Sequence, residues 1–262
     1  MTRRHGRGRE GALGCIVALS LVAAVPGFAQ TRPVTIDDVL GMKAVGSPAV
    51  SPDGTQVLYT VRAWEPDSSA SSRAGASTSA ATGERMESRT RIWKVAVAGG
   101  AQRQMTYGER GDSQPQWSPD GRYISFVSAR GAGAGDDAPR PQIYVMRNDG
   151  GEARKVTDAK EGIASYSWAP DSRRIAYVTT DPRSADEESA VRRRDDERVF
   201  ENDFRYQHIW VAGVDPANTT PAARVTQGRD YTVLGSPSWS PDGQRLAFSG
   251  KPTTMIRDSR SD

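Results

Sequence analysis

The sequence predicts an all-β fold, an incomplete β-propeller of four-stranded antiparallel blades comprising three blades and the start of a fourth. Three observations predict it: a short turn that recurs four times, matched residue types in the strand after each turn, and a third and fourth strand at nearly constant spacing.

The turn comes first. Ser51-Pro52-Asp53-Gly54, Ser118-Pro119-Asp120-Gly121, Ala169-Pro170-Asp171-Ser172 and Ser240-Pro241-Asp242-Gly243 are copies of one unit. Pro presets φ, Asp hydrogen-bonds to nearby backbone, and Gly accepts a left-handed conformation, so each copy joins two antiparallel strands. Three positions past the turn stand Val57, Ile124, Ile175 and Leu246, and two further on Tyr59, Phe126, Tyr177 and Phe248. The positions between them, Leu58, Ser125, Ala176 and Ala247, are mostly small. Side chains alternate across a strand, so one face is aliphatic and aromatic while the other is small. Trp117, Trp168 and Trp239 precede three of the turns, with Val50 at the first. Sheets stacked face to face, large residue over small, explain this pattern. A β-sandwich has no reason to repeat its packing columns.

The remaining strands recur too. Ile92-Trp93, Ile143-Tyr144 and Ile209-Trp210 begin a third strand, and Gly99-Gly100 and Gly150-Gly151 make tight hairpin turns. A short fourth strand ends in Gln104-Met105-Thr106, Lys155-Val156-Thr157 or Arg224-Val225-Thr226, 14, 14 and 17 residues beyond the corresponding Ile.

Successive turns lie 67, 51 and 71 residues apart. The extra length falls between second and third strands. Residues 65–90 are a low-complexity run of Ser, Ala, Gly and Thr, expected to be a disordered loop. Residues 181–207 form a charged insertion, expected to be solvated or helical, with Val199, Phe200, Phe204 and Tyr206 packing on the blade. After the strand at Leu246–Ser249 only Lys251–Asp262 remain, so the sequence is expected to be incomplete or to need a partner surface.

The amino terminus points to export. Arg3, Arg4, Arg7 and Arg9 precede an apolar run from Ala12 to Phe28, and Gly27-Phe28-Ala29 fits a cleavage site, so residues 1–29 are expected to be a signal peptide and 30–262 the propeller portion. The expected location is periplasmic or secreted, with no membrane attachment after cleavage. Lipidation at Cys15 is not expected, because most of the apolar run lies after it. Residues 1–29 carry four of the 35 basic and one of the 32 acidic residues, leaving 31 of each. A neutral remainder argues against nucleic acid as a partner. The one Cys leaves with the leader, so no internal disulfide is expected.

Catalytic chemistry is not expected from these residues. No Ser has Gly at both −2 and +2, and the remainder has one His, His208, with no assignable nucleophile or acid. His208 is expected at the surface or a strand edge. One His and no Cys leave no closed zinc site, and the recurrent Asp is read as a turn former rather than a calcium ligand. Gly131–Gly135 lacks the Lys and Ser/Thr of a phosphate loop. Asn218-Thr219-Thr220 formally matches a glycosylation acceptor. No catalytic, cofactor-binding or metal residue is assigned, no cofactor is expected, and the oligomeric state is left open.

The repeat, best seen from Trp117 through Thr157, resembles the WD40-like propeller repeat shared by TolB and the prolyl oligopeptidase (S9) peptidases. The opening Val34–Leu40 followed by Val45–Gly54 looks like the amino-terminal entry of S9 peptidases of the dipeptidyl aminopeptidase/acylaminoacyl-peptidase type. The stretch Arg194–Trp210 is similar to the charged insertion in those propellers. The resemblance implies a propeller that covers the serine active site of a separate α/β-hydrolase domain and screens peptide substrates by size. The Ser, Asp and His of that domain have no counterpart here, so this chain alone should be inactive. Glu187-Glu188 lacks the aromatic context of the paired glutamates that hold substrate amino termini in some dipeptidyl peptidases. The alternative is a non-enzymatic, TolB-like binding scaffold of the cell envelope.

Overall fold

The computed structural model describes residues 33–66, 86–108, 110–131, 138–193, 205–215 and 221–252. The chain divides into a leading unit, Met1–Thr35, and a main unit, Ile36–Asp262, which holds all the described strands. A short helix, α1 (Ile36–Gly41), precedes β1 (Ala44–Val50), β2 (Gln56–Pro66), β3 (Met86–Ala96) and β4 (Arg103–Gln104). The second set is β5 (Asp112–Trp117), β6 (Tyr123–Ser128), β7 (Gln142–Arg147) and β8 (Gly150–Lys155). The third is β9 (Ser165–Trp168), β10 (Arg174–Thr180), helix α2 (Ala185–Arg192), β11 (Gln207–Gly213) and β12 (Ala223–Arg224). β13 (Thr232–Trp239) and β14 (Leu246–Lys251) complete the described strands. Each strand pairs antiparallel with the next, giving three four-stranded meanders and one two-stranded sheet. This is the predicted propeller architecture, three blades and the first half of a fourth.

The turns are alike down to single bonds. The fourth residue donates its N–H to the first residue's carbonyl in all four copies, at 2.9, 2.8, 3.0 and 2.8 Å. That fourth residue is left-handed each time, at φ 72°, 69°, 57° and 67° for Gly54, Gly121, Ser172 and Gly243. Where the first residue is Ser, its hydroxyl donates to the Asp carboxylate and accepts the N–H five residues on, from Gln56, Tyr123 or Arg245. Asp53, Asp120, Asp171 and Asp242 also accept the N–H two residues ahead. These carboxylates are occupied by their own turns, which is the turn-forming role read from the sequence.

Register explains the columns. Trp117, Trp168 and Trp239 lie directly opposite Ile124, Ile175 and Leu246, and each indole N–H donates to the preceding blade: to the Ala49 carbonyl at 2.9 Å, the Ser125 hydroxyl at 2.7 Å and the Ser167 carbonyl at 3.3 Å. The core is a series of seams between blades. In the first, Leu58, Ile92 and Met105 meet Trp117, Ile124 and Phe126. In the second, Val127 and Val145 meet Trp168, Ile175 and Tyr177. In the third, Ala176, Val178 and Ile209 meet Val233, Trp239 and Leu246. The branched aliphatic after each later turn, Ile124, Ile175 or Leu246, thus packs against the blade before it, joined in the first two seams by the aromatic Phe126 or Tyr177. Burying one such large side chain stabilises by about 1.5–3 kcal/mol.

The Thr after each fourth strand has its own task. Thr106, Thr157 and Thr226 accept the backbone N–H of Ile92, Ile143 and Ile209 at 3.0, 3.0 and 2.9 Å. The hydroxyl continues a ladder that the two-residue strands β4 and β12 have already left.

Two sequence expectations need narrower bounds. The low-complexity loop drawn at 65–90 is trimmed at both ends, because Glu65–Pro66 continue β2 and Met86–Thr90 belong to β3, paired residue for residue. Within the insertion 181–207, α2 covers Ala185–Arg192 and Gln207 is already in β11. Ser184 caps α2: its N–H donates to Glu187 Oε2 at 2.6 Å and its hydroxyl accepts the Glu187 N–H at 3.2 Å. Glu187 is thereby committed to a helix cap. Tyr206 is half-buried. The expected leader 1–29, the rest of the loop at 67–85, residues 132–135 of the glycine-rich run, Val199, Phe200, Phe204, Asn218–Thr220 and 253–262 lie outside the described residues.

Candidate functional site

The blades have two distinct edges. One carries the S-P-D-G turns and the hairpins after the third strands. The other carries the connections β2–β3, β6–β7 and β10–β11 and the crossovers to the next blade. The two long insertions of the repeat, between β2 and β3 and between β10 and β11, leave from this second edge. Variation therefore concentrates where function usually does, on loops held by a constant frame.

A buried polar column fastens that edge. Arg91, Gln142 and His208 each stand directly before the recurrent Ile of the third strand, and each reaches under the following crossover. The Arg91 guanidinium donates to the Gly108 carbonyl and, at 3.2 Å, to that of Arg110, and pairs with Glu65 at 2.7 Å. Gln142 donates to the Ala159 carbonyl at 2.7 Å and accepts from the Ala159 N–H and the Thr157 hydroxyl, both at 2.9 Å. His208 Nδ1 lies 3.1 Å from the Thr226 hydroxyl, and Nε2 lies 3.5 Å from Asp181 Oδ2. Thr226 already accepts the Ile209 N–H, and its hydroxyl proton is available to Nδ1, while Nε2 is buried without a hydrogen-bond partner among the described residues.

His208 is therefore not the surface or edge residue expected, but wholly buried. Its place directly before the Ile209-Trp210 strand, taken alone, does not reveal its column. The signal was present, since Arg91 and Gln142 are large polar residues at the same position. Burial holds its pKa below the ordinary value; Asp181 opposes that, and Arg224 adds to it. Its ring is shut from solvent against a threonine already engaged with backbone, an arrangement that locks a crossover.

Ion pairs repeat along the same edge. Asp112 is fully buried and meets Arg130 at 3.2 Å. Arg130 lies 4.8 and 5.3 Å from the ring centroids of Phe126 and Tyr144, which are themselves stacked at 6.0 Å. Glu161 pairs with Arg205 at 2.7 Å and Asp181 with Arg224 at 3.3 Å. Burial alone would raise the Glu161 pKa, but the Arg205 hydrogen bond and charge hold it below the usual carboxylate range.

The first strands of the blades form a second candidate surface. Ser47, Gln114 and Gly235 are left-handed, at φ 48°, 51° and 67°, beside register shifts in β1, β5 and β13. Side chains clasp the neighbouring blade across this surface. Gln114 donates to the Ala164 carbonyl at 3.1 Å, Gln116 to that of Tyr166 at 3.0 Å, and Ser165 to that of Gly235 at 2.7 Å. The Tyr166 hydroxyl returns a bond to the Gln114 carbonyl at 2.6 Å, which holds Gln114 in its strained conformation. Ser113, Gln114, Ser236 and Ser238 stay exposed. The result is a polar wall with a fixed backbone.

Cavities lie between blades. One of about 540 Å³ opens at the second seam, lined by Val156, Ala159, Tyr177, Asp181 and Trp210 among others. One of about 480 Å³ lies on the first-blade face carrying Val57, Tyr59 and Trp93. There the Tyr59 hydroxyl and the Trp93 indole N–H are buried without a partner among the described residues. Also among the described residues, no group of three or more His, Asp or Glu is placed to hold a metal, and no helix is long and apolar enough to cross a membrane.

The model of the TolB beta propeller domain family matches residues 63–208. The chain is 30% identical over 237 residues to the uncharacterized peptidase YuxL of Bacillus subtilis, covering 84% of this chain and 31% of that protein. It is 24% identical over 253 residues to dipeptidyl-peptidase 5 of Porphyromonas endodontalis, covering 88% of this chain and 33% of that one. Among solved structures, the acylaminoacyl peptidase of Pyrococcus horikoshii matches at 18% identity and a TM-score of 0.48, over 74% of this chain and 27% of that chain. The chain thus spans about a third of the length of these two curated relatives.

Proposed function

The chain belongs to the TolB β-propeller domain family, and from that premise we propose that it is the substrate-gating propeller of an exported S9-type serine peptidase. The observation that carries this reading is the alignment of most of the chain with one third of a protein named a peptidase and one third of a dipeptidyl-peptidase. The remaining length of such a protein has room for an α/β-hydrolase domain carrying the nucleophile, base and acid, with acyl transfer through serine as its chemistry. The basic start and apolar run of residues 1–29 support export to the periplasm or beyond.

The geometry suits a sieve. Gln114, Gln116 and Ser165 fix the inner strands against each other, so the wall does not yield to a large substrate at low cost. In the full-length protein, Gln116→Ala removes one clasp at a site remote from the chemistry. Short chromogenic peptides should be cleaved at an unchanged kcat/KM, while cleavage of an unfolded protein such as casein rises. Equal treatment of short and long substrates by both forms would sink the gating reading. The TolB family match also favours a second reading, a non-enzymatic envelope scaffold. Absence of any peptide hydrolysis by the full-length protein would select it.

A further inference from the structure

The second seam leaves open a space that the first seam fills. The end of blade one and blade two superimpose in sequence on the end of blade two and blade three with an offset of 51 residues, which places Met105 opposite Val156, Gly108 opposite Ala159, Phe126 opposite Tyr177 and Arg130 opposite Asp181. The aromatic pairs are equivalent in register as well: Phe126 faces Tyr144 across β6–β7, and Tyr177 faces Trp210 across β10–β11. Over Phe126 and Tyr144 lies the Arg130 guanidinium, anchored by Asp112 and so close to Gly108 that a methyl there would stand 3.2 Å from Arg130 Nε. At the second seam the corresponding position supplies Asp181, no cation lies over the Tyr177–Trp210 pair among the described residues, and Val156 is shorter than Met105. The cavity of about 540 Å³ opens there, bounded by all of these second-seam residues.

We propose that this cavity binds the guanidinium of an arginine side chain from a peptide, seated on Tyr177 and Trp210 and paired with Asp181, as Arg130 is seated in the first seam. Three features support that occupant. Aromatic faces attract a desolvating cation, Trp most strongly. A carboxylate offers several acceptor positions, so Asp181 can take a guanidinium while its Oδ2 keeps Arg224 at 3.3 Å. The basic residues in the lining are partly engaged: Lys155 pairs with Asp158 at 2.7 Å and Arg154 donates to the Val214 carbonyl. Lys160 is the exposed cation at the rim. Tyr177 is only 3% exposed, and its pKa is pushed up to about 12 by burial, so the phenol stays neutral beside an incoming cation.

The test uses the full chain labelled with 5-fluorotryptophan, the Trp210 resonance being assigned with Trp210→Phe. N-acetyl-arginine methylamide is titrated against its neutral isostere, the citrulline analogue. The arginine probe should shift the Trp210 resonance saturably, and the citrulline probe should not. Val156→Met, which installs the residue that fills the first seam, should weaken binding roughly tenfold or more without changing the melting temperature. Should Val156→Met fold poorly, Asp181→Asn serves instead, with the same loss expected. No saturable shift, equal response to both probes, or unchanged affinity in a folded variant overturns the proposal.

Discussion

Thr157 illustrates how much a single hydroxyl does in this fold. It accepts the Ile143 N–H and donates to Gln142, joining the end of one strand to the buried amide that holds the crossover. Thr157→Val keeps the shape, leaves the buried Ile143 N–H unpaired and takes from Gln142 one of its two donors, so urea unfolding should show a loss of about 1–3 kcal/mol, with Thr157→Ser recovering most of it. His208 gives the same column a pH dependence. Burial lowers its pKa in the folded state below the ordinary 6.5, so the unfolded chain binds more protons as the solution is acidified. The stabilisation is complete above pH 6.5 and is lost as pH falls below it. The urea midpoint should therefore drop from pH 7 to pH 5, and His208→Gln, which copies Gln142, should remove part of that slope. An unchanged slope would mean that His208 has the same pKa in the folded and unfolded states. None of this was legible from the sequence position of His208 alone, because burial of a polar side chain depends on the crossover folding back over it, a contact 18–20 residues away in the chain.

Among the elements, the turns were the most legible, because their residues act locally. Pro, Asp and a left-handed fourth residue determine the bend whatever surrounds them. Ser172 is the informative exception. It replaces Gly, holds φ at 57°, and its hydroxyl accepts the Asp120 N–H of the preceding blade at 3.0 Å. Ser172→Gly loses that bond and relieves the backbone; Ser172→Ala loses the bond and keeps the strain. Thermal melts should place the Gly variant above the Ala variant by about 1 kcal/mol. Equal stability of the two would show that the bend carries no strain. The strand ends were less legible. Pairing of Pro66 with Met86 carries β2 and β3 well past their apolar columns, since backbone hydrogen bonds sustain a hairpin where polar side chains give no alternating signal. The first-strand bulges at Ser47 and Gln114 were likewise silent; Gln114 is held in its conformation by Tyr166 of the neighbouring blade.

For the whole molecule, the recurrent aliphatic packed against the preceding blade is common to all three seams, and the Val57 and Tyr59 face of the first blade is left uncovered by any described blade. That rule was readable in the sequence because each column recurs at a fixed distance from its turn. The cavity at the second seam was not, because it arises where the repeat breaks: Arg130 against Asp181 and Met105 against Val156. The proposed function requires that this propeller serve a serine hydrolase in the same protein. The most direct measurement is to label the native protein in its source cells with a fluorophosphonate probe and determine the mass of the labelled species with an antibody against this chain. A labelled band well above the 28.3 kDa of these 262 residues is expected. An antibody-reactive native protein that the probe never labels would contradict it.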